Sequence, residues 1–410
     1  MLKCKYAWSH LDFLQGEYAP CYRFKIKQQP IANLASALPS EVINNSAMQN
    51  VRASLQQDVF PPGCEDCALK ESRGLKSYRQ KSLEGDDWDD SGVDYNSTTI
   101  DRIIDLELKF SRTCNLLCRH CMADSNSQFE ILGRNNPDIN DELQQLDFDH
   151  MGIADSPIAT ISPENLEDII QNIIPTVDKI TFSGGEPLYH LAHYRFLERL
   201  IQDPKIDASK ITIAYNTNMT LIQFKGYELK KLWPHFKSVE LTVSMDGTGK
   251  IFDYFRERGN YETVVENLET VLNTVSNIKS VYLVCTCTSY HAFYAHEIFK
   301  DLTELAQRLS KYAYIHVGPT FVHYPEGLDM ANLPQDVKQH IVDTLYSKNI
   351  ADNLYQSSIT EIVKHLTGDA YADTDKFAQI VKIQDRLHNK SALEYAPKLG
   401  EYVYNNKLVF

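Results

Sequence analysis

The sequence predicts an α/β fold: a partial (β/α)6 TIM-like barrel with a small N-terminal cysteine-rich hairpin module and C-terminal helices. Two observations carry that expectation. From Ile103 onward, short apolar runs alternate with amphipathic helical patterns, the sequence form of a parallel sheet wrapped by helices. The residues able to do chemistry fall just after those runs, where parallel α/β folds gather reactive groups.

Six strands are expected, at Ile103 to Phe110, Lys179 to Ser183, Ile211 to Asn216, Val239 to Ser244, Ser280 to Thr288 and Tyr312 to Val322. Helical patterns lie between them at Glu164 to Ile174, Tyr194 to Ile201, Leu221 to Phe236, Tyr261 to Val275 and Ala292 to Leu309. Six units are too few to close a barrel. After Leu333 the chain becomes helical and polar, with helices expected at Pro334 to Lys348, Ser358 to Leu366 and Thr374 to Leu387. The chain thus divides into a cysteine-rich module at 1–80, a polar linker at 81–100 that includes Glu84-Gly-Asp-Asp-Trp-Asp-Asp-Ser-Gly92, the barrel at 101–330, and a helical extension at 331–410.

Composition narrows the function. The 410 residues are 43% hydrophobic and 10% aromatic, enough for a full-sized core. With 55 acidic against 41 basic side chains the net charge is −14, and no Lys/Arg cluster stands out, so a nucleic-acid partner is not expected. No apolar run reaches the roughly 18 residues of a membrane span, and Met1-Leu-Lys-Cys-Lys-Tyr6 lacks a secretory core. A cytoplasmic protein without a membrane association is expected. There, nine cysteines with a C-x2-C spacing point to metal rather than to disulfides.

Cys114, Cys118 and Cys121 stand in Cys-Asn-Leu-Leu-Cys-Arg-His-Cys directly after the first strand. Spacings of three and two residues let one loop present three thiolates to a [4Fe-4S] cluster, leaving one iron without a protein ligand. A structural zinc site is the competing reading; it wants a fourth ligand, and His120 is adjacent in sequence. The second strand ends Ser183-Gly184-Gly185-Glu186-Pro187, where two glycines allow close approach of a cofactor and strand-end carbonyls can accept from an ammonium group. An ordinary strand-to-helix turn would use the same residues. Asn216 and Asn218 end the third strand, Ser244 and Asp246 the fourth; short polar groups there suit hydroxyls and a carboxylate.

In the first 80 residues, Cys4-Lys-Tyr-Ala-Trp8-Ser-His10 begins a short strand, Gln15-Gly16 turns it, Cys21 ends the returning strand, and Cys64-Glu-Asp-Cys67 comes later. The four cysteines can gather on either zinc or a second iron-sulfur cluster. Trp8 and His10 are expected to pack the hairpin. Cys285 and Cys287 share one face of an apolar strand and read as core thiols, with hydrogen-atom donation to a substrate radical as the alternative. Tyr215, Tyr290, His316 and His323 are further pocket candidates whose bland alternative is packing.

The cysteine triad resembles the C-x3-C-x2-C motif of the radical S-adenosylmethionine (SAM) superfamily. Cys-x3-Trp-x-His, a second Cys, and Cys-x2-Cys followed by Glu71, Gly74, Ser77 and Arg79 resemble the N-terminal module of twitch domain-containing radical SAM proteins; the likeness continues through Phe321 to Pro325 and Asn332 to Pro334. The resemblance implies a SAM-binding [4Fe-4S] cluster on Cys114, Cys118 and Cys121, and an auxiliary [4Fe-4S] cluster on Cys4, Cys21, Cys64 and Cys67. It places Gly184, Gly185 and Glu186 at the SAM amino group, Asn216, Asn218, Ser244 and Asp246 along the SAM site, and Arg256 at the SAM carboxylate. It implies reductive cleavage of SAM to a 5′-deoxyadenosyl radical that takes hydrogen from a small-molecule or peptide substrate, with electrons from a donor such as flavodoxin or ferredoxin. The chain departs from the resemblance in an acidic insertion, about Asp124 to Ile161, expected over the active-site mouth. Cysteines fill the first 80 residues, so no separate leader-peptide-binding domain is expected. The alternative outside enzymology is a catalytically inactive, metal-stabilised binding protein.

Overall fold

The computed structural model describes residues 1–410 except 15, 75, 86–88, 90, 153–160, 349, 369–375 and 410. Gln15 of the expected turn, parts of the polar linker and of the acidic insertion, and Thr374 at the start of an expected helix therefore lie outside the described residues. Eight strands carry the fold: β1 (His10–Leu14), β2 (Glu17–Ala19), β3 (Asp105–Lys109), β4 (Lys179–Ser183), β5 (Thr212–Thr217), β6 (Ser238–Ser244), β7 (Ile278–Cys287) and β8 (Tyr314–Phe321). Hydrogen-bonded neighbours run in the order β8-β7-β6-β5-β4-β3-β1-β2. Among the described residues no pairing joins β8 to β2, so the sheet is open. All six strands expected from sequence are present, and the N-terminal hairpin adds two at the edge, because β1 pairs parallel with β3.

Packing divides the chain into two units, one of Met1–Arg112, Asp155–Tyr215 and Leu232–Val239, the other of Thr113–Ala154, Asn216–Lys231 and Glu240–Phe410. In the first, β3 reads Asp-Leu-Glu-Leu-Lys, and alternation puts Leu106 and Leu108 on one face and three charges on the other. Register then brings polar partners beside those charges: His10 faces Asp105, Asp12 faces Glu107, and Lys109 faces Ser183. The result is a buried network in which Lys109 Nζ lies 2.5 Å from Asp12 and 3.1 Å from Glu107. His10 Nδ1 meets Asp105 at 2.5 Å, and Ser183 Oγ donates to Glu107. Burial of these carboxylates is tolerable because each has a cationic or hydrogen-bonding partner.

The segment before β1 corrects one expectation. Lys5–Ser9 is a helical turn, so Cys4 precedes a helix and the strand starts at His10. Trp8 is buried, and its contacts are with the segment before β3: Nε1 donates to Ser97 O at 2.8 Å and the ring packs on Tyr95 at 5.5 Å. The expected helix Leu221 to Phe236 is also corrected. A two-residue ribbon, Gln223–Phe224 with Tyr227–Glu228, turns on Lys225 and Gly226, both at positive φ, and Pro234 confines the rest of the segment to short helical turns. Apolar spacing there imitates a helix that its turn chemistry forbids.

Tyr215, a pocket candidate in the sequence, belongs to the core. It is 1% exposed, its hydroxyl accepts from Trp233 Nε1 at 3.1 Å and meets His193 Nε2 at 2.9 Å. Tyr215→Phe deprives both rings of that partner and is expected to lower stability by about 1–3 kcal/mol, read as a lower denaturant midpoint with unchanged m-value. Burial, with a smaller contribution from His190, holds His193 down at about 3, against 6.5 for an ordinary histidine. The folded protein thus keeps His193 neutral while the unfolded chain takes up a proton below about pH 6.5, so this contribution is full above that pH and is lost as pH falls. The expected slope is about 1.4 kcal/mol per pH unit. Denaturation midpoints between pH 7 and pH 5 should fall less steeply in His193→Phe than in the parent; equal slopes would contradict the assignment.

In the second unit β7 and β8 run parallel, from Ser280 opposite Tyr314 to Cys287 opposite Phe321. Cys285 and Cys287 are both fully buried in β7. Helices Gln335–Ser347, Asn353–Leu366, Lys376–His388 and Pro397–Asn405 make up the C-terminal extension. The second begins five residues earlier than its apolar pattern indicates, because Asp352 caps it, accepting from Leu354 N and Tyr355 N. Among the described residues no helix is long and apolar enough to cross a membrane.

Candidate functional site

The second unit contains the cysteine triad. Cys114 and Cys118 are buried around Leu116, with Cys121 packed against them. Local hydrogen bonds fix the loop: Cys121 N donates to Cys118 O at 2.9 Å, and Leu117–Cys118 forms a two-residue antiparallel ribbon with Arg256–Glu257 that sets Cys118 opposite Arg256. All nine cysteines are free thiols. Cys114 Sγ accepts from Leu116 N at 3.4 Å and from Asn218 Nδ2 at 3.8 Å, and Asn218 Nδ2 also reaches Asn115 Oδ1 at 2.9 Å. Donors aimed at a sulfur favour its thiolate form.

Three groups that sequence reasoning missed brace this loop, and all come from the acidic insertion. Asn126 Nδ2 donates to Leu116 O at 2.7 Å, Gln128 Nε2 donates to Cys114 O, and His150 Nδ1 meets Cys121 O at 2.9 Å. The described part of the insertion therefore supports the triad from behind its backbone. Nothing in the spacing of these polar residues distinguishes them from solvated loop.

A deeper brace comes from the C-terminal extension. Arg119, between two of the cysteines, is wholly buried with its guanidinium 3.8 Å from the Tyr254 ring centroid and 3.1 Å from Asp385. Asp385 also accepts from Tyr254 Oη at 2.6 Å, Ala392 N at 2.7 Å and Tyr404 Oη at 3.0 Å. Gln384 Nε2 closes the network on Arg119 O at 2.8 Å and receives Tyr290 Oη at its own oxygen, which makes Tyr290 part of the scaffold.

Of the residues assigned to SAM by resemblance, Asn218, Asp246 and Arg256 are buried in this unit, Ser244 is half-buried at the end of β6, and Asn216 is exposed. Arg256 Nη1 pairs with Asp246 Oδ2 at 2.5 Å, while Asp246 Oδ1 accepts Thr286 N at 2.7 Å. Burial alone would raise the Asp246 pKa, but Arg256 and the flanking groups hold it below the usual carboxylate range. Arg256 is thus already engaged, although its Nε is buried with no hydrogen-bond partner among the described residues.

Burial pushes the Cys118 thiol up to about 12, with Cys114 and Asp246 adding to the shift and Arg256 opposing it; Cys121 moves in the same direction for the same main reason. Two buried thiols with a third packed against them cannot all ionise together without a compensating cation. A metal centre reverses this balance, since a coordinated thiol is deprotonated outright. The donor set therefore fits a metal-sulfur group.

The first unit contains the two other motifs. Gly184 has φ +114°, and a Cβ there would stand 2.8 Å from Ser111 O, while Gly185 N donates to that same oxygen at 3.0 Å. Glu186 is buried and its carboxylate accepts Leu188 N at 3.0 Å, capping the short helical turn after it. Cys4, Cys21, Cys64 and Cys67 line one cavity together with Tyr6 and Phe24. Phe24 packs directly on Gly63, where any Cβ would lie 2.2 Å from its ring. Arg79 forks onto Glu71 with contacts of 3.0 and 2.7 Å and donates to Lys3 O at 2.7 Å, tying the start of the chain to this corner; Ser77 Oγ joins the same carboxylate at 2.6 Å. Burial raises the Cys4 thiol to about 11 and moves Cys21 and Cys64 upward as well.

Sulfur spacing bears on zinc. A single tetrahedral zinc with bonds of about 2.3 Å holds its sulfurs about 3.8 Å apart. Among the described residues, the groups of three metal-ligating side chains with all donor atoms within 4.8 Å are His323, Asp329, His365 and His10, Asp12, Glu107; neither contains a cysteine.

Residues 108–288 match the family model described as the Radical SAM superfamily. Among solved structures, native anSMEcpe with bound AdoMet and Cp18Cys peptide is 18% identical with a TM-score of 0.38, over 60% of this chain and 59% of that one. Streptococcus suis SuiB bound to S-adenosylmethionine is 14% identical with a TM-score of 0.32, over 73% of this chain and 57% of that one. The same protein bound to precursor peptide SuiA gives 14% and 0.32, over 79% and 66%. This chain spans less than two thirds of the length of each. No curated protein sequence matches it.

Proposed function

With residues 108–288 carrying a radical SAM superfamily domain, we propose that the protein is a radical SAM enzyme using Cys114, Cys118 and Cys121 to hold its [4Fe-4S] cluster. The observation that carries this reading is the convergence of three unbridged thiols, two of them buried and the third packed against them, on a loop braced from the insertion and from the C-terminal helices. When bound, the cluster and SAM supply reductive carbon–sulfur cleavage, which yields methionine and a hydrogen-abstracting 5′-deoxyadenosyl radical.

The chain's own residues do the rest. Arg256, opposite Cys118, offsets the desolvation of its thiolate. Asn218 places an N–H on Cys114 Sγ, and buried Leu116 packs with Cys114 and Cys118. Asp246 holds Arg256 in register, which makes Arg256 a positioning group for the cluster loop as well as a candidate partner for the SAM carboxylate. On this reading Ser244 and Asn216, at strand ends, would hold polar groups of SAM, and the backbone at Gly184, Gly185 and Glu186 would receive its amino group. The substrate is a small molecule or peptide, and a flavodoxin- or ferredoxin-type protein supplies the electron.

The same reading places an auxiliary [4Fe-4S] cluster on Cys4, Cys21, Cys64 and Cys67, supported by one cavity lined by four unbridged thiols. Full ligation suits that cluster to electron transfer or to ordering the N-terminal corner. Anaerobic reconstitution followed by iron and sulfide counting tests the pair of sites. About eight iron atoms per chain are expected; stoichiometric zinc at both sites, with no SAM-dependent chemistry, would instead favour a metal-stabilised binding protein.

A further inference from the structure

At the carboxyl end of β8 the chain leaves the sheet through His323, and Asp329 comes six residues later at the start of a short helical turn. Helix Asn353–Leu366 brings His365 to the same point. Asp329 Oδ2 lies 3.0 Å from His323 Nδ1, and Asp329 Oδ1 lies 2.7 Å from His365 Nε2. All three ligand atoms fall within 4.8 Å of one another. We propose that His323, Asp329 and His365 form a mononuclear site for a divalent first-row transition metal of the zinc type, separate from both cysteine sets.

Chemistry and geometry both suit that ion. Two imidazole nitrogens and one carboxylate oxygen are a borderline donor set, matched to zinc and its first-row neighbours rather than to calcium or magnesium. Neutral imidazole has one N–H and one lone pair, so a change of tautomer turns each ring from a donor to Asp329 into a ligand beside it. Ligands on zinc at about 2.0–2.2 Å lie roughly 3.3–3.6 Å apart in a tetrahedron; the two contacts, made to different oxygens of Asp329, would widen somewhat, and one ligand atom from each of the three residues already lies within 4.8 Å of the others.

The supporting contacts are those of a held ligand set. Ala331 N donates to Asp329 Oδ1 at 2.9 Å, and the His365 ring stacks on Phe321 at 4.1 Å and 12°. Such outer contacts fix ligand orientation before metal arrives. Burial opposes ionisation of Asp329, but the two histidines and Ala331 N outweigh it and keep the carboxylate charged at neutral pH. Asp329 is buried and His365 nearly so, whereas the His323 side chain is 72% exposed, leaving one side open to water or to an exogenous ligand. Three protein ligands with an open position distinguish such a site from a closed structural one. The other three-ligand group, His10, Asp12 and Glu107, already contains a cation, Lys109 Nζ.

Bound metal would clip the loop after β8 to the C-terminal extension. The test uses the full chain with its cysteine sites reconstituted with iron and sulfide, equilibrated with Zn2+ and desalted, then counted for zinc and iron; Co2+ in place of Zn2+ adds a visible d–d spectrum. The parent should retain one zinc per chain. His323→Ala, at an exposed position, and Asp329→Asn should each lose it and the cobalt bands, with iron content unchanged. Absence of zinc from the iron-loaded parent, or equal zinc in the parent and His323→Ala, would overturn the site and leave a hydrogen-bonded triad only.

Discussion

Replacement of Cys114, Cys118 or Cys121 by alanine is expected to abolish 5′-deoxyadenosine formation and to remove about four iron atoms per chain, leaving about four on the N-terminal cysteines. On the proposed function, each change would withdraw one of three protein ligands of the cluster. His120 adjoins Cys121, but its ring is stacked on Phe255 at 5.1 Å and 3°, which commits it to packing. The reciprocal change, Cys64→Ala or Cys67→Ala, should remove the other four irons. SAM cleavage by the triad should persist in that variant, measured without substrate, because the two cysteine sets reside in different units of the chain. Loss of both clusters from either change would mean that the sites are not independent.

Asp385→Ala is the structural change expected to have the largest effect. It leaves the Arg119 guanidinium buried without its carboxylate and at once deprives Tyr254, Ala392 N and Tyr404 of an acceptor. Breaking a buried pair in this way costs about 3–5 kcal/mol. Asp385→Asn keeps one acceptor oxygen but turns the other into an NH2 donor and removes the charge, and should fall between. Because Arg119 lies between Cys118 and Cys121, the loss should also reach the cluster: iron should be released faster in chelator at temperatures where the variant remains folded by circular dichroism. Destabilisation without faster iron release would confine Asp385 to packing the C-terminal helices.

Much of the fold and the triad was legible in the sequence because both are written locally. The six strands from β3 to β8 appear as short apolar or alternating runs of the right length, and the cysteine spacings mark the triad without reference to the rest of the chain. Sequence reading failed where long-range contacts decide. Gln384 lies 265 residues beyond Arg119, with Asp385 next to it, and no local pattern marks either as a partner of that arginine. Asn126, Gln128 and His150 sit in a segment whose acidic composition resembles solvated loop. The Leu221 to Phe236 error is of another kind: the Lys225-Gly226 turn outweighs apolar periodicity.

Strand β3 carried a further signal. Asp105, Glu107 and Lys109 alternate with leucines in a strand whose surroundings are apolar, and three charges on one face of a buried strand require partners across the sheet. His10 and Asp12 of β1 supply them, which is why the N-terminal hairpin joins the sheet beside β3.

The most direct measurement is electron paramagnetic resonance of the anaerobically reconstituted, reduced Cys64→Ala protein, recorded with and without SAM and followed by chromatography for 5′-deoxyadenosine. With the N-terminal set disabled, the account predicts one [4Fe-4S]+ signal whose g-values change on adding SAM, and formation of 5′-deoxyadenosine with methionine. A signal unchanged by SAM, with no 5′-deoxyadenosine formed, would contradict it.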